Sequence, residues 1–376
     1  MFRLISFKSE TNNADSQCGK SFFRNRVSSI LLALLLVTLG NGCSSGSDVT
    51  EAGNEATEEI GTNSRLGTVQ ERGSVVCGVN GQLPGFSFVN ENGEYLGMDA
   101  DLCRAVASAM FDDPNAVEFR DLGAQERFVV VQSGEVDLLS RNTTWTLSRD
   151  TSVGMEFAPT TFYDGQGILA SNASNINSLE DLGGKSVCVL SGTTNEQNLA
   201  DRMRKLGLDY SPVVFEDVDL LYAAYEQGRC EAATSDRSQL VARRAVLAQP
   251  DEHQVLDVVL SKEPLGPLTA NGDSQWFDVV KWVTYAMIQA EELGINSQNV
   301  DSFAETEDPV IRRFLGLEGS LGEEMGLPND FARRIVKNVG NYGEVYQRNI
   351  GEPFNLDRGL NALWTDGGLM YSPPFR

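Results

Sequence analysis

The strongest constraint on the fold of this chain is an alternation of short apolar runs with segments of helical periodicity. Apolar runs occupy residues 74–79, 117–119 and 136–139, and helical spacing of apolar residues occupies 99–110 and 124–134. Runs this short predict buried strands. Strands that alternate with helices predict an α/β unit with a mostly parallel sheet.

The same alternation begins again in the middle of the chain. Strands are predicted at 186–190, 213–215 and 230–234, with helices at 194–206 and 219–227. Ligands of open α/β sheets bind beyond the carboxyl ends of the strands. Two such units in one chain therefore predict two lobes with a ligand cleft between them.

The remainder of the chain is predicted to be mostly helical. Helices at 275–293, 309–315 and 331–348 indicate a return to the first lobe followed by a C-terminal wrap. We therefore expect five segments: a signal peptide with a lipidation sequence (1–43), a flexible linker (44–72), the first part of lobe 1 (73–167), lobe 2 (168–262), and the return to lobe 1 with a C-terminal helical extension (263–376).

The N-terminal segment has the pattern of a bacterial secretory signal. Basic and polar residues precede an apolar run at 30–39, which is too short to span a bilayer. Cys43 follows Asn41 and Gly42, which predicts lipidation; ordinary cleavage nearby is the alternative. Residues 44–72 are rich in Ser, Gly, Thr and Glu, a composition typical of a flexible tether. A periplasmic or other extracytoplasmic location is expected, with a lipid anchor if Cys43 is modified.

Charge and histidine content exclude several classes of function. The formal net charge of −23 disfavours binding to nucleic acid or to anionic lipid. His253 is the single histidine, so histidine-rich metal sites and a catalytic triad find no support. We expect neither a metal nor a cofactor.

Four cysteines remain after the leader and the lipidation candidate: Cys77, Cys103, Cys188 and Cys230. An even number in an oxidising compartment predicts disulfides, and the chain has no CxxC pair typical of zinc or redox sites. Three pairings are possible, and four free thiols are a further alternative. We predict Cys77 with Cys103 and Cys188 with Cys230, since each of these pairs lies within one lobe.

Eight short phrases, in order along the chain, carry a family resemblance. They are CGVN (77–80), LPGF (83–86), GMDADLC (97–103), QSGEVD (132–137), LSRNTTWTLSRD (139–150), YDGQG (163–167), SGTT (191–194) and GLNALW (359–364). From about residue 73 to the end, the chain resembles the periplasmic solute-binding proteins of polar amino-acid ABC transporters, most closely the general L-amino-acid binding proteins. The resemblance implies a two-lobe periplasmic-binding-protein-like (type II) fold with a hinge and a helical C-terminal wrap.

An α-amino acid presents a carboxylate and an ammonium group, and burying both requires opposite charges and hydrogen bonds. Arg149 suits the carboxylate because a guanidinium group binds it bidentately. A surface arginine paired with Asp150 is the alternative. The resemblance makes Arg149 the carboxylate ligand, with hydroxyl and amide contacts from Thr144 and a backbone carbonyl of Asn142 for the ammonium.

Further ligand contacts are expected from the second lobe and from the first strand. Thr193 and Thr194 lie in a turn that opens a helix, where free amides favour an anion; helix capping is an alternative compatible with ligand contact. The resemblance makes Asp236 the partner of the ligand ammonium, with helix capping again the alternative. Asn80 either contacts the ligand or forms the turn before Gly81.

Three residues are candidates for contact with the ligand side chain. Leu83 and Trp145 are candidates for the wall of the side-chain pocket, although aromatic residues more often pack in a core. Arg141 either meets an acidic ligand side chain or braces the hinge, and we favour the hinge. Most predicted contacts address the atoms that all amino acids share, which predicts broad specificity.

The predicted function is extracytoplasmic binding of L-amino acids and their delivery to an ABC importer. The expected partners are the amino acid and the importer's membrane permease, and the protein is expected to be a monomer without nucleic-acid contacts. An enzyme similar to periplasmic dehydratases would need an acid/base group in the cleft, where the polar residues are already assigned to the ligand. A chemosensory ligand-binding protein is a further alternative.

Overall fold

The computed structural model describes residues 64–376, so the predicted signal peptide, Cys43 and the linker up to residue 63 lie outside the described residues. The first lobe contains α1 (Arg65–Arg72), β1 (Val75–Val79), β2 (Gln82–Leu83), β3 (Ser87–Val89), β4 (Tyr95–Leu96), α2 (Met98–Phe111), β5 (Val117–Asp121), α3 (Arg127–Ser133), β6 (Leu138–Leu139), α4 (Leu147–Thr151) and β7 (Met155–Phe157). The second lobe contains β8 (Phe162–Ser171), β9 (Ser186–Leu190), α5 (Thr194–Leu206), β10 (Ser211–Phe215), α6 (Val218–Glu226), β11 (Ala232–Asp236), α7 (Arg237–Ala245), β12 (His253–Val255) and β13 (Lys262–Leu265). The chain continues with β14 (Leu268–Ala270), α8 (Ser274–Glu292), α9 (Pro309–Phe314), α10 (Leu321–Glu324), α11 (Phe331–Asn338), α12 (Tyr342–Tyr346) and α13 (Glu352–Phe354).

The flexible linker was predicted to extend to residue 72, but residues Arg65–Arg72 form helix α1. The side chain of Ser64 caps the helix by accepting a hydrogen bond of 3.1 Å from the Gly67 amide, and Gly73 ends it with a φ of 74°. Leu66 and Val69 are fully buried in the core of the first lobe. Because these two residues are three apart, one face of an otherwise polar segment packs against the domain.

The sheet of the first lobe has the strand order β5-β1-β6-β14-β7. β1 is parallel to β5 and β6, whereas β14 is antiparallel to β6 and β7. Helix α2, in which most residues are buried, packs against β1. The carboxyl ends of β1 and β6 lead directly to Asn80 and to the loop at 140–146.

The sheet of the second lobe has the order β10-β9-β11-β8-β12, and β13 also pairs with β8. β9 is parallel to β10 and β11, and β8 is antiparallel to β11, β12 and β13. β9 ends before the turn that begins α5, and β11 ends at Asp236. The predicted α/β architecture with two lobes is confirmed, with one antiparallel strand inside each sheet that the sequence did not predict.

Two short crossings at residues 158–161 and 266–267 join the lobes. They run side by side, since the Ala158 amide donates to the Pro267 carbonyl at 2.9 Å and the Thr161 amide to the Leu265 carbonyl at 2.8 Å. β8 already pairs with the second-lobe strand β13 from Phe162 onward. The first crossing, at 158–161, therefore lies before the predicted lobe boundary at residue 167. The second crossing, at 266–267, lies after the predicted lobe boundary at residue 262.

The C-terminal region packs on the first lobe and contacts the first crossing. Helix α8 packs against α2 and α11, and a π-helical turn at Gln347–Gly351 joins α12 to α13. The Tyr342 hydroxyl donates to the Thr161 carbonyl at 2.8 Å, and the Tyr163 amide donates to Oδ1 of Asn361 at 2.6 Å. This region corresponds to the predicted C-terminal wrap.

The cysteines pair as predicted, within each lobe. Cys77 on β1 is bonded to Cys103 on α2, and Cys188 on β9 is bonded to Cys230 just before β11. Each bridge joins elements of a single lobe, so neither restricts movement at the crossings. Within residues 64–376, no helix is long and apolar enough to cross a membrane.

Candidate functional site

A small polar cavity lies between the lobes, near the carboxyl ends of β1, β6, β9 and β11. It is lined from the first lobe by Asn80, Arg127, Arg141, Asn142 and Thr144, and from the second lobe by Leu190, Thr193, Thr194, Asn195, Ser235, Asp236 and Gln239. Most of the predicted ligand-binding residues are thus brought together. Arg149, Leu83 and Trp145 are not on this wall.

Arg149 lies directly behind the cavity wall. Its side chain is buried, with 8% of the residue exposed, and its Nη1 donates a hydrogen bond of 2.8 Å to the carbonyl oxygen of Thr144. The guanidinium carbon lies 5.3 Å from the centre of the Phe128 ring. Burial lowers the pKa of Arg149, and the nearby carboxylates of Glu263 and Asp236 oppose that shift.

Glu263 on β13 is a central residue of the site that sequence reasoning missed. It is 1% exposed, and its carboxylate accepts hydrogen bonds from Thr144 Oγ1 at 2.6 Å, Thr194 Oγ1 at 2.9 Å and Asn198 Nδ2 at 2.9 Å, as well as from the Ser261 hydroxyl. Since Thr144 belongs to the first lobe, Glu263 connects the two sides of the cavity.

Asp236 is the last residue of β11 and is buried. It precedes α7, yet its side chain makes no capping hydrogen bond and instead accepts from Asn195 Nδ2 at 3.1 Å. Burial raises the pKa of Asp236 to about 8, and the neighbouring carboxylates of Asp164 and Glu263 add to the shift. The Asp236 carboxylate is therefore placed where a cation would stabilise it.

Thr193 and Thr194 begin helix α5 at the edge of the cavity. Thr193 caps the helix by accepting a hydrogen bond of 3.3 Å from the Glu196 amide, and its hydroxyl donates to the Leu190 carbonyl at 2.6 Å. The Thr194 hydroxyl donates to Glu263. The capping alternative is thus realised for Thr193, while both residues line the cavity.

Asn142 has the left-handed backbone conformation, with a φ of 31°. Its amide donates a hydrogen bond of 2.8 Å to Asp99, which also accepts one of 3.1 Å from the Ser140 hydroxyl. Burial raises the pKa of Asp99 to about 6, and these two hydrogen bonds oppose the shift. Asp99 therefore holds the loop at 140–146 in the shape that presents Asn142 to the cavity.

Two further buried arginines line the cavity, and Arg127 was not predicted. Arg127 begins α3 and donates to Thr143 Oγ1 at 3.4 Å; Arg141 Nε donates to the Leu122 carbonyl at 2.6 Å. Burial lowers the pKa of both, that of Arg141 to about 10. The predicted bracing of the hinge is not seen for Arg141, because Leu122 lies in the loop after β5 and not in a crossing.

The remaining predicted residues occupy three different environments. Asn80 lines the cavity and also forms the turn, since its Oδ1 accepts from the Gln82 amide at 3.2 Å. Leu83 is fully buried in the core of the first lobe. Trp145 is 43% exposed, and its ring stacks on Phe157 with 6.0 Å between ring centres. The predicted pocket wall is therefore not built from Leu83 or Trp145 in this structure.

The lobes also contact each other beside the cavity. Gln82 Nε2 of the first lobe donates to Asp217 of the second at 3.2 Å, and the Gln82 carbonyl accepts from Arg243. Gln125 of the first lobe hydrogen-bonds the hydroxyl of Ser191. These hydrogen bonds join the two lobes directly.

Two α/β lobes that meet over a polar cavity, with buried guanidinium groups on one side and buried carboxylates on the other, define a binding protein for a small charged solute. The chain belongs to the family described as bacterial extracellular solute-binding proteins, family 3, whose model matches residues 75–299. Membership confirms the predicted resemblance and the predicted class, a solute-binding protein rather than an enzyme.

The chain is similar to several known members over most of their length. It is 50% identical over 315 residues to the general L-amino acid-binding periplasmic protein AapJ of Rhizobium johnstonii, covering 83% of this chain and 92% of that one. It is 45% identical over 316 residues to the glutamate/glutamine/aspartate/asparagine-binding protein BztA of Rhodobacter capsulatus, covering 83% and 94%. Among solved structures, it is similar to a periplasmic binding protein from Brucella ovis with glutathione bound, at 48% identity and a TM-score of 0.81, covering 83% of this chain and 99% of that one.

Proposed function

We propose that this protein binds L-amino acids outside the cytoplasm and delivers them to an ABC importer. The observation that carries the proposal is the opposition of charge at the cavity: buried arginines line it from the first lobe, with Arg149 directly behind that wall, and Asp236 lines it from the second lobe. A free amino acid carries a carboxylate and an ammonium on one carbon, so it complements both sides at once. The similar proteins AapJ and BztA, both of which are amino-acid binding proteins, support the same ligand class.

In the proposed complex, Arg149 binds the ligand carboxylate and Asp236 binds the ammonium. Thr144, Thr193 and Thr194 supply hydroxyl and amide contacts, and the Asn142 carbonyl faces the ammonium. The planar guanidinium group of Arg149 suits two parallel hydrogen bonds to one carboxylate. The ammonium group would relieve the repulsion that Asp164 and Glu263 exert on Asp236.

The cleft is proposed to open at the two crossings and to close on the ligand. The hydrogen bonds of Gln82 with Asp217 and Arg243, and of Gln125 with Ser191, would break on opening. They join side chains from opposite lobes, and only short backbone segments connect those lobes. Closure would remove the ligand charges from water. Hydrogen bonds to charged groups are stronger in the protein interior than in water.

Specificity is proposed to be broad, because most of the proposed contacts address atoms common to all amino acids. Asn80 and Arg141 on the cavity wall remain available for the side chain. The name of AapJ, a general L-amino acid-binding protein, supports this breadth.

A thermal-shift screen tests the proposal. Purified protein is heated with each common L-amino acid, with the D-enantiomers and sugars as controls, and with glutathione because of the ligand named in the Brucella ovis structure. A ligand at a hundred times its Kd adds about 2.7 kcal/mol to the free energy of unfolding, which raises the melting temperature measurably. A screen in which no L-amino acid stabilises the protein contradicts the proposal.

Delivery and anchoring need tests in cells. Uptake of a labelled L-amino acid is expected to fall when the gene is deleted and to recover with the wild-type chain but not with Arg149→Ala. Lipidation at Cys43 predicts that the protein fractionates with membranes and becomes soluble as Cys43→Ser. An amino terminus found downstream of Cys43 by mass spectrometry contradicts the lipid anchor.

A further inference from the structure

The C-terminal extension, residues 300–376, lies beyond the residues that the family model matches. Most of it packs on the first lobe, but it also holds the chain where that chain passes into the second lobe. The Tyr342 hydroxyl donates a hydrogen bond of 2.8 Å to the Thr161 carbonyl, and the Tyr346 ring stacks on Phe162 with 6.0 Å between ring centres. The end of the first crossing and the start of β8 are therefore both in contact with the extension.

Asn361 of the extension binds both backbone polar groups of Tyr163, the second residue of β8. The Tyr163 amide donates to Oδ1 of Asn361 at 2.6 Å, and Nδ2 of Asn361 donates to the Tyr163 carbonyl at 3.3 Å. Asn361 is 4% exposed. Its planar carboxamide supplies an acceptor and a donor side by side, as the backbone of a neighbouring strand would. The start of β8 is thus paired with a side chain instead of a strand.

Asn361 is itself anchored to the first lobe through Arg358. Arg358 Nε donates to the Asn361 carbonyl at 2.8 Å, and its two terminal nitrogens bind Glu291 of α8 at 2.8 and 3.2 Å. The guanidinium carbon of Arg358 lies 5.1 Å from the centres of both the Tyr342 and the Tyr346 rings. A bidentate pair of this kind fixes the orientation of the guanidinium group. Asn361 therefore moves with the first lobe.

The extension also reaches the second lobe away from the crossing. Helix α13 packs against α7, which begins directly after Asp236. The π-helical turn before α13 is fixed to the first lobe, because Arg348 binds the buried carboxylate of Asp101 through Nε at 3.0 Å and Nη2 at 2.7 Å. A rotation of the second lobe about the crossings therefore changes the contact of α7 with α13 and the two hydrogen bonds of Tyr163 together.

We propose that the C-terminal extension is a hinge brace that favours the closed form of the cleft, with Asn361 as its principal contact. This inference rests on the proposed function, in which the cleft opens at the crossings and closes on the ligand. Hydrogen bonds require a narrow range of distance and angle, so rotation of β8 against a fixed Asn361 weakens both of them. The open form thus lacks contacts that the closed form makes.

The brace should act equally on every ligand, because neither Asn361 nor Tyr163 lines the cavity. The apparent Kd is the Kd of the binding-competent form divided by the fraction of protein in that form. Asn361→Ala should therefore raise the Kd for L-glutamate, L-glutamine and L-leucine by one common factor, up to about fivefold for the loss of a hydrogen bond. The dissociation rate should rise as well, since release of the ligand requires opening.

Titration calorimetry and stopped-flow dissociation of these three ligands from the purified protein test the brace. Small-angle X-ray scattering adds a readout that a purely structural role for Asn361 would not change. Without ligand, Asn361→Ala should have a larger radius of gyration than the wild type. A saturating ligand should remove that difference, because both proteins then adopt the closed form.

Two further variants keep the test specific. Tyr342→Phe removes the hydroxyl that binds Thr161 and retains the ring beneath Arg358, so it should shift the Kd and the dissociation rate in the same direction by a smaller factor. It also tests the brace if Asn361→Ala does not fold. Asn338→Ala is the matched control and should change neither quantity, because Asn338 belongs to the same extension but donates to Asp112 of the first lobe at 3.0 Å.

Two results overturn the brace while leaving amino-acid binding intact. One is a set of unchanged Kd values and dissociation rates in both Asn361→Ala and Tyr342→Phe. The other is a change of Kd that differs among the three ligands, which would place the effect in the cavity and not at the hinge. If the wild-type protein binds none of these amino acids, it is the proposed function that fails, and the scattering of the ligand-free proteins decides on the brace.

Discussion

The hydroxyl of Thr144 in the first lobe donates a hydrogen bond of 2.6 Å to the buried carboxylate of Glu263, which lies on strand β13 of the second lobe. Thr194 of the second lobe donates to the same carboxylate oxygen at 2.9 Å, and the two hydroxyl oxygens lie 3.3 Å apart. The Glu263 side chain thus holds a threonine from each lobe in place at the cavity wall.

Replacing Glu263 with alanine is expected to destabilise the protein. Four donors, on Thr144, Thr194, Asn198 and Ser261, lose their acceptor, and a buried donor without a partner is costly. We expect the free energy of unfolding in urea to fall by about 3 kcal/mol. Glu91 is exposed, so Glu91→Ala is the control and should change it by less than about 0.5 kcal/mol. An equal effect of the two substitutions would rule out this role for Glu263.

Ligand binding is expected to release a proton from Asp236. In the closed conformation of this structure, burial together with Asp164 and Glu263 raises the pKa of Asp236 to about 8, so the carboxyl group is mostly protonated at pH 7 when the lobes are closed without a ligand. The ligand ammonium favours the ionised form and lowers this pKa, while Arg127 and Arg141 act on Asp236 in the same direction in both states. Affinity should therefore rise as the pH increases from 6 to 8.

Calorimetry at pH 7 in buffers with different ionisation enthalpies measures the released proton directly. We expect a release approaching one proton per ligand for the wild type, and almost none for Asp236→Asn, which should also bind every amino acid more weakly. Asp257→Asn is the matched control, because Asp257 is fully exposed. Proton release that persists in Asp236→Asn would assign the titration to another group.

The two disulfides are expected to contribute to stability but not to affinity. They close loops with sequence separations of 26 and 42 residues, which corresponds to about 3.5 and about 4 kcal/mol of unfolded-state entropy. Replacing Cys188 and Cys230 together with serine should lower the free energy of unfolding by that order and leave the Kd within about twofold. Peptide mapping without reductant checks the pairing, and a bridge between the lobes would contradict it.

Local patterns predicted the elements whose boundaries are marked in the sequence itself. The strand at 186–190 and the helix at 194–206 agree with the structure because an apolar run, a Gly-Thr turn and Gly207 define them. Strand β8 (Phe162–Ser171) was missed. Its first half, with Asp164, Gly165 and Gln166, lacks an apolar pattern and owes its extended form to pairing with β11 and β13.

The candidate site likewise contains some residues that the sequence predicted and others that it did not. Asn142, Thr144 and Asp236 were predicted because family phrases and strand ends mark them, and they line the cavity. Glu263 and Arg127 were missed because a charged residue between Lys262 and Pro264, or at a helix start, is typical of a surface. Only tertiary packing, which brings β13 and α3 to the cavity, buries these charges.

The central claim is that Arg149 binds the carboxylate common to all amino acids, and titration calorimetry of Arg149→Lys tests it most directly. The wild type is expected to bind several L-amino acids with a Kd in the micromolar range or below, about −8 kcal/mol. Arg149→Lys keeps the charge but loses the planar pair of donors, and we expect every Kd to rise about a hundredfold, with Arg120→Lys unchanged. Affinities of Arg149→Lys within about threefold of the wild type would contradict the account.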